Sequence, residues 1–324
     1  MPKVLITTVP FGAINRLPLD LLENANIEYV INPFNKKLTE DQLVGLITDF
    51  DAVIAGTEEI TEKVISKATN LKLISRVGIG LDSVDLLAAE RLKVGVSYTP
   101  DAPAPAVADL TIGLMYSLLR KVHEANIHMH DGEWYRFFGR RLIDCTIGII
   151  GVGRVGSRIV NSLQALGCKN IMYYDKKVRL EGESEHLIFA EKDKIYEMSD
   201  IISFHLPLDS ETKNMVTVNE FKLMKKDVSL INTSRGGVIN EQDLSDALKN
   251  KAIAGAAIDV FVDEPYQGKL SEYDNCILTA HMGSMTMDCR SQMEIEATEE
   301  VVRFFSGQAL ESVVPPEEYD IRRL

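Results

Sequence analysis

Three residues of types that move protons and hold anions stand near the end of the chain, each just after a β-rich run. Arg235 lies in Asn232-Thr233-Ser234-Arg235-Gly236-Gly237, Glu264 in Asp259-Val260-Phe261-Val262-Asp263-Glu264-Pro265, and His281 in Leu278-Thr279-Ala280-His281-Met282-Gly283-Ser284. An imidazole can take a proton from a hydroxyl at neutral pH and return it in the reverse direction. A carboxylate bonded to the second ring nitrogen fixes the tautomer and stabilises the imidazolium that forms. A guanidinium offers a planar fork that grips a carboxylate and polarises a neighbouring oxygen. Taken singly, a histidine after a strand is more often structural, and an arginine and glutamate more often form an ion pair. Together, and each at the carboxyl end of a strand, they point to acid–base chemistry on a small anion.

A second constellation precedes them. Gly151-Val152-Gly153-Arg154-Val155-Gly156 follows the apolar run Ile147-Gly148-Ile149-Ile150 and opens a helical pattern. In such a G-x-G-x-x-G turn the first glycine permits the tight bend, the second lets backbone approach a pyrophosphate, and the third lets helix and strand pack closely. The helix N-terminus then favours the phosphates. Asp175 ends the next strand-like run, Ile171-Met172-Tyr173-Tyr174, where a carboxylate accepts from the adenine-ribose hydroxyls and repels a 2′-phosphate. NAD is therefore expected over NADP, with Lys176 and Lys177 pulling the other way. A glycine turn that merely serves the fold is the plainer reading, and the order of strand, glycines, helix and acid stands against it.

With these segments in place, the sequence resembles the D-isomer-specific 2-hydroxyacid dehydrogenases. Within that family it is closest in pattern to the phosphoglycerate dehydrogenases. The resemblance runs over nearly the whole chain and includes Val77-Gly78-Ile79-Gly80-Leu81-Asp82 and the glycine motif in mid-chain. It implies NAD-dependent hydride transfer at C2 of a small D-2-hydroxy or 2-keto acid, with His281, Glu264 and Arg235 catalytic. It also implies that backbone N–H groups of Val77 and Gly78 hold the substrate carboxylate. His205, Pro207, Thr233, Ser234, Asp259 and Gly283 would line the cofactor side. Arg76 matches an arginine that meets a phosphate or second carboxylate, whereas Ala55 stands where phosphoglycerate enzymes usually carry arginine. Many of those enzymes also carry a regulatory domain, for which no counterpart is expected here. Glutamate at position 264 separates the chain from the formate-dehydrogenase-like branch, which has glutamine there. The alternatives are an NAD(H)-sensing corepressor-like binding protein and a phosphite-type oxyanion dehydrogenase.

The elements that must position these residues alternate along the chain. Strand-like runs at 4–8, 27–31, 51–55 and 71–77 are separated by helical patterns at 17–24, 39–49 and 59–68, an arrangement that predicts a parallel sheet covered by helices. Thr39 is placed to cap its helix. The pattern stops at Thr99-Pro100-Asp101-Ala102-Pro103-Ala104-Pro105, because prolines continue neither strand nor helix. One long apolar helix is expected over 106–130. A second series follows at 146–150, 170–174, 201–204, 228–232, 254–259 and 276–279, with a last helix over 288–305 and a polar tail. The expected fold is α/β: two Rossmann-like or flavodoxin-like doubly wound domains with an active-site cleft between them. Residues 1–99 with 288–324 would form the substrate domain and 100–287 the NAD-binding domain.

Composition sets the outer bounds. A chain of 324 residues, 45% hydrophobic and 26% charged, has apolar material for two cores. A formal charge of −13 repels nucleic-acid phosphates and anionic membranes, so neither partner is expected. Cys145, Cys168, Cys276 and Cys289 form no C-x-x-C pair and read as reduced buried thiols. The opening Val4-Leu5-Ile6 is too short for a signal sequence and no run could span a bilayer, so a cytoplasmic protein is expected. His123, His128 and His130 share one helical pattern without an i,i+4 pair, so no metal site is expected. The stretch Trp134-Tyr135-Arg136-Phe137-Phe138 reads as core or a contact of the homodimer that the family resemblance implies.

Overall fold

Short runs of β-branched and aliphatic residues, buried on both faces, pair side by side only if helices cover them, and parallel pairing gives each crossover a helix to do so. A computed structural model, which describes residues 1–182 and 184–323, has that arrangement twice. The first sheet contains β1 (Lys3–Ile6), β2 (Glu28–Ile31), β3 (Ala52–Ala55), β4 (Leu73–Arg76) and β5 (Gly95–Ser97), in the order β2-β1-β3-β4-β5. The second contains β6 (Ile147–Ile150), β7 (Ile171–Tyr174), β8 (Leu187–Phe189), β9 (Ile201–Phe204), β10 (Ser229–Asn232), β11 (Gly255–Ile258) and β12 (Cys276–Leu278), in the order β12-β11-β10-β9-β6-β7-β8. Every strand pair is parallel. Strand order reverses direction between β1 and β3 in the first sheet and between β6 and β9 in the second. At such switch points the outgoing loops diverge and leave a crevice.

The chain forms two compact units, Met1–Pro103 with Met285–Leu324, and Ala104–Ser284, dividing a few residues from where the proline run suggests. In the first, Leu5, Val53 and Ile74 meet Leu43, Ile47 and Val64 of the covering helices, all shielded from solvent. In the second, alternate residues of β6 feed opposite faces: Ile147 and Ile149 join one cluster, and Ile150 joins Phe204 and Leu230 in the other. Each fully buried aliphatic side chain contributes about 1.5–3 kcal/mol. Thr39 caps the helix Glu40–Ile47 through a reciprocal pair with Gln42. All four cysteines are free and buried, and burial pushes the Cys276 thiol up to about 12 and the Cys289 thiol to about 11. No group of metal-ligating residues occurs among the described residues, and no described helix is long and apolar enough to cross a membrane.

The structure departs from or adds to the sequence reading at four places. The helix expected over 106–130 is two, Ala104–Leu119 and Val122–His130, broken at Lys121, whose φ is 50°. The cause is tertiary: the Leu119 carbonyl accepts from Arg140 N–H at 2.9 Å, and a Cβ on Gly139 would lie 2.5 Å from that same oxygen. The returning chain thus takes the place of the next helical turn, which side-chain periodicity cannot register. The polar tail carries the helix Pro316–Arg323, held by Arg323 against Glu90 at 2.7 Å and by Tyr319 against the first core. The three-residue strands β5 and β8 and the helix Leu86–Arg91 are additions, each too short to show a period. The aromatic stretch is not core: Trp134 is 81% and Phe138 99% exposed.

Candidate active site

The glycine loop leaves β6 at the switch point of the second sheet. A Cβ on Gly151, whose φ is 93°, would lie 2.3 Å from the His205 carbonyl, and one on Gly156 would lie 2.0 Å from the Gly151 carbonyl. Both must be glycine for packing. A Cβ on Gly153 would meet nothing within 4 Å, so the space above that backbone is open. The helix Arg154–Ala165 begins there with no side-chain cap, leaving its first N–H groups to an anion. Arg154 is exposed on that first turn, and Val155 packs on the core beneath. Asp175 ends β7 beside the loop: one carboxylate oxygen accepts from Val152 N–H at 2.9 Å, the other from Lys177 and Val178 N–H at 2.8 and 2.9 Å. Lys176 is turned onto Glu211 at 2.7 Å. An open glycine, an uncapped helix and a fixed carboxylate fit a dinucleotide with an unmodified ribose.

Across the switch point, the loop after β9 brings His205 against Gly151. His205 Nε2 shares a hydrogen bond with Ser203 Oγ at 2.8 Å, and burial pushes the imidazole down to about 3, so the ring stays neutral. Pro207 follows on the surface. We expect Asp175→Ala to weaken NADH and narrow the NADH:NADPH ratio of kcat/KM by about tenfold, the worth of a charged hydrogen bond plus relief of phosphate repulsion. Steady-state kinetics with both cofactors checks it, and an unmoved ratio leaves Asp175 with only its loop-building role.

The other three segments are brought level by strand register. Asn232 of β10 stands opposite Ile258 of β11, which stands opposite Leu278 of β12, so the loops that follow leave from one edge. Buried Asn232 folds the first: its Oδ1 accepts from Ser234 N–H and Oγ at 3.0 and 2.8 Å, and its Nδ2 donates to the Arg235 carbonyl at 2.8 Å. Thr233 Oγ1 lies 2.9 Å from Thr111 Oγ1, and Arg235 Nη1 donates to the Ser234 carbonyl at 2.6 Å. A Cβ on Gly236 would stand 2.0 Å from the Phe261 carbonyl carbon, so the Arg235 loop lies backbone to backbone on the loop that carries Glu264. Glu264 Oε1 accepts from Phe261 N–H at 3.1 Å, and Oε2 meets His281 Nδ1 at 2.8 Å.

The His281 loop wraps a buried carboxylate. Asp259 accepts from Thr279 Oγ1 at 2.5 Å and from Met282 and Gly283 N–H, both at 2.9 Å, while its carbonyl accepts from His281 N–H at 2.8 Å. Burial pushes the Asp259 carboxyl up, against the pull of those hydrogen bonds. The wrapping holds His281 at a φ of 48°, an uncommon conformation for histidine. With a carboxylate on Nδ1, that nitrogen carries the proton, and the half-exposed ring presents Nε2 as the acceptor. Asn232, Gly236 and Thr279 were not singled out by sequence reading. Only the asparagine and glycine, flanking Arg235, gave a signal, as residues that build tight turns.

In the first unit, Arg76 is buried at the end of β4 with its Nη1 donating to the Val77 carbonyl. The expectation for Val77 and Gly78 is corrected. Val77 N–H donates to the Ala55 carbonyl at 2.9 Å and Gly78 N–H to Thr99 Oγ1 at 2.7 Å, so both are spent inside the unit. The N–H groups of Ile79 and Gly80, next in the same loop, meet no acceptor among the described residues.

Residues 112–283 match the family model described as D-isomer specific 2-hydroxyacid dehydrogenase, NAD binding domain. The chain belongs to this family. The matched region is the family's NAD binding domain. The chain is similar to a glyoxylate reductase of Thermofilum pendens, 34% identical over 88% of this chain and 87% of the relative. It is also similar to a D-3-phosphoglycerate dehydrogenase of Methanocaldococcus jannaschii, 36% identical over 86% of this chain but 54% of the relative, so the chain spans about half the length of that enzyme. Among solved structures, NAD+-bound 3-phosphoglycerate dehydrogenase of Entamoeba histolytica superposes with a TM-score of 0.82 at 26% identity, covering 97% of this chain and 98% of the other.

Proposed function

We propose that this chain reduces small 2-keto acids to D-2-hydroxy acids with NADH, and runs the reverse oxidation with NAD+. The observation that carries the reading is the 2.8 Å Glu264–His281 pair, set at one edge with the Arg235 loop in an NAD-binding unit. NADH supplies the hydride that reaches C2. As the C=O π bond opens, His281 Nε2 delivers a proton to the oxygen, and Glu264 steadies the imidazolium beforehand. Arg235 holds the substrate carboxylate and polarises the C2 oxygen. Within the first unit, the Ile79 and Gly80 N–H groups of the loop after β4 are donors of the kind that bind a carboxylate, with buried Arg76 at the start of the same loop. Thr233, Ser234, Pro207 and Gly283 line the nicotinamide side, and Asp259 holds the Gly283 loop in shape.

Ala55, small and buried at the end of β3, leaves the site without the arginine that would favour a phosphorylated substrate. Exposed Trp134 and Phe138 suit a homodimer contact, and four buried thiols suit a reducing cytoplasm. The test is a panel of 2-keto acids with NADH. Turnover with kcat/KM on the order of 10⁴ M⁻¹s⁻¹ or more is expected for at least one. NADH binding without oxidation by any member of the panel would defeat the reading and favour a cofactor sensor.

A further inference from the structure

The loop after β7 carries more positive charge than an unmodified ribose needs. Lys176, Lys177 and Arg179 follow Asp175, and cations beside the ribose suit the 2′-phosphate of NADPH. Two of the three are withheld. Lys176 Nζ donates to both carboxylate oxygens of Glu211 at 2.7 Å. Arg179 Nη1 donates to the Asp175 carbonyl at 2.9 Å, and its guanidinium lies 3.4 Å from the centre of the Phe189 ring. The Lys177 side chain meets no acceptor among the described residues.

The place of Glu211 gives the pair its meaning. Strands β7 and β9 flank β6; Lys176 follows β7, and Glu211 lies on the loop after β9. The pair therefore joins the two loops on either side of the glycine turn, inside one unit, at the crevice where a dinucleotide lies. Asp175 ties the same place to the turn through Val152 N–H at 2.9 Å. The backbone around Glu211 is held as well. Asp209 Oδ1 accepts from Glu211 and Thr212 N–H, both at 2.8 Å, and Thr212 Oγ1 donates to the Pro207 carbonyl at 2.6 Å. Lys176 and Glu211 are each about two-thirds exposed, so their pairing adds little to stability, and its effect is on local charge. We propose that Glu211 is a positioning residue for cofactor choice: it holds Lys176 off the adenosine 2′ position, so that a 2′-phosphate meets Asp175 with one counter-charge fewer. This rests on Asp175 as the ribose ligand, and not on the reaction catalysed.

The test is fluorescence titration of the full chain with NADH and with NADPH, which needs no turnover. Glu211→Ala should tighten NADPH by about fivefold and leave NADH within about twofold, since only the phosphorylated ribose gains from the freed lysine. Adding Lys176→Met to Glu211→Ala should return NADPH affinity to the wild-type value. A gain that survives the loss of Lys176 would mean that Glu211 repels the phosphate directly, and would overturn the holding role. Equal shifts for both cofactors would make Glu211 a builder of the loop, with the same consequence. If Asp175→Ala moves the NADH:NADPH preference and Glu211→Ala does not, the inference falls alone. If neither variant moves it, the ribose reading of Asp175 falls too.

Discussion

His281→Asn should lower kcat by about 10³-fold or more, with NADH affinity held within about threefold, because an amide cannot carry the proton that general acid–base catalysis requires. The substitution is conservative where it needs to be. Its carboxamide reaches roughly as far as Nδ1 and can still donate to Glu264, so the pair at 2.8 Å is imitated and only the outward nitrogen is lost. The dinucleotide loop after β6 has its own strand, helix and glycines: Gly151 packs on the His205 carbonyl, and Val152 N–H donates to Asp175. Fluorescence titration with NADH and single-turnover kinetics separate the two quantities. Parallel loss of both would mean that His281 builds the cofactor site instead of moving a proton.

Gly236→Ala should reduce kcat/KM by about 10²-fold, since a displacement near 1 Å at a catalytic group has that cost. The methyl would be placed 2.0 Å from the carbonyl carbon of Phe261 and 2.1 Å from its oxygen. Both are main-chain atoms, so no rotamer change relieves the contact, and the Arg235 loop must part from the Phe261–Glu264 loop. That separation moves the guanidinium away from the edge and disturbs the Phe261 N–H that orients Glu264. NADH binding should persist, because Gly151 and Gly153 lie on another strand's loop. Wild-type turnover in Gly236→Ala would show that the two loops are not held in mutual contact during the reaction.

How much of this was legible beforehand depended on range along the chain. The G-x-G-x-x-G turn is local: strand, bend and helix follow one another within a few residues, and each glycine's reason is the backbone beside it. Asp175 was legible for the same cause, one strand later. The break at Lys121 was not, because the carbonyl that ends the helix is claimed by Arg140, whose approach periodicity cannot show. Nor was the spending of the Val77 and Gly78 N–H groups, whose acceptors Ala55 and Thr99 belong to a neighbouring strand and a distant turn.

By itself the sequence determined the α/β class and the NAD-binding turn, and it put forward three residue types for the chemistry, since these follow from periodicity, from a contiguous turn and from the chemistry of side chains. Tertiary structure alone decided which nitrogen of His281 faces outward, that Asp259 organises the histidine loop, and that Gly236 must be bare. The physical reason is that hydrogen bonds and close packing at the carboxyl edge join residues from different strands. Parallel strands bring such partners together only through long crossovers, so their spacing in the chain carries no trace of the contact.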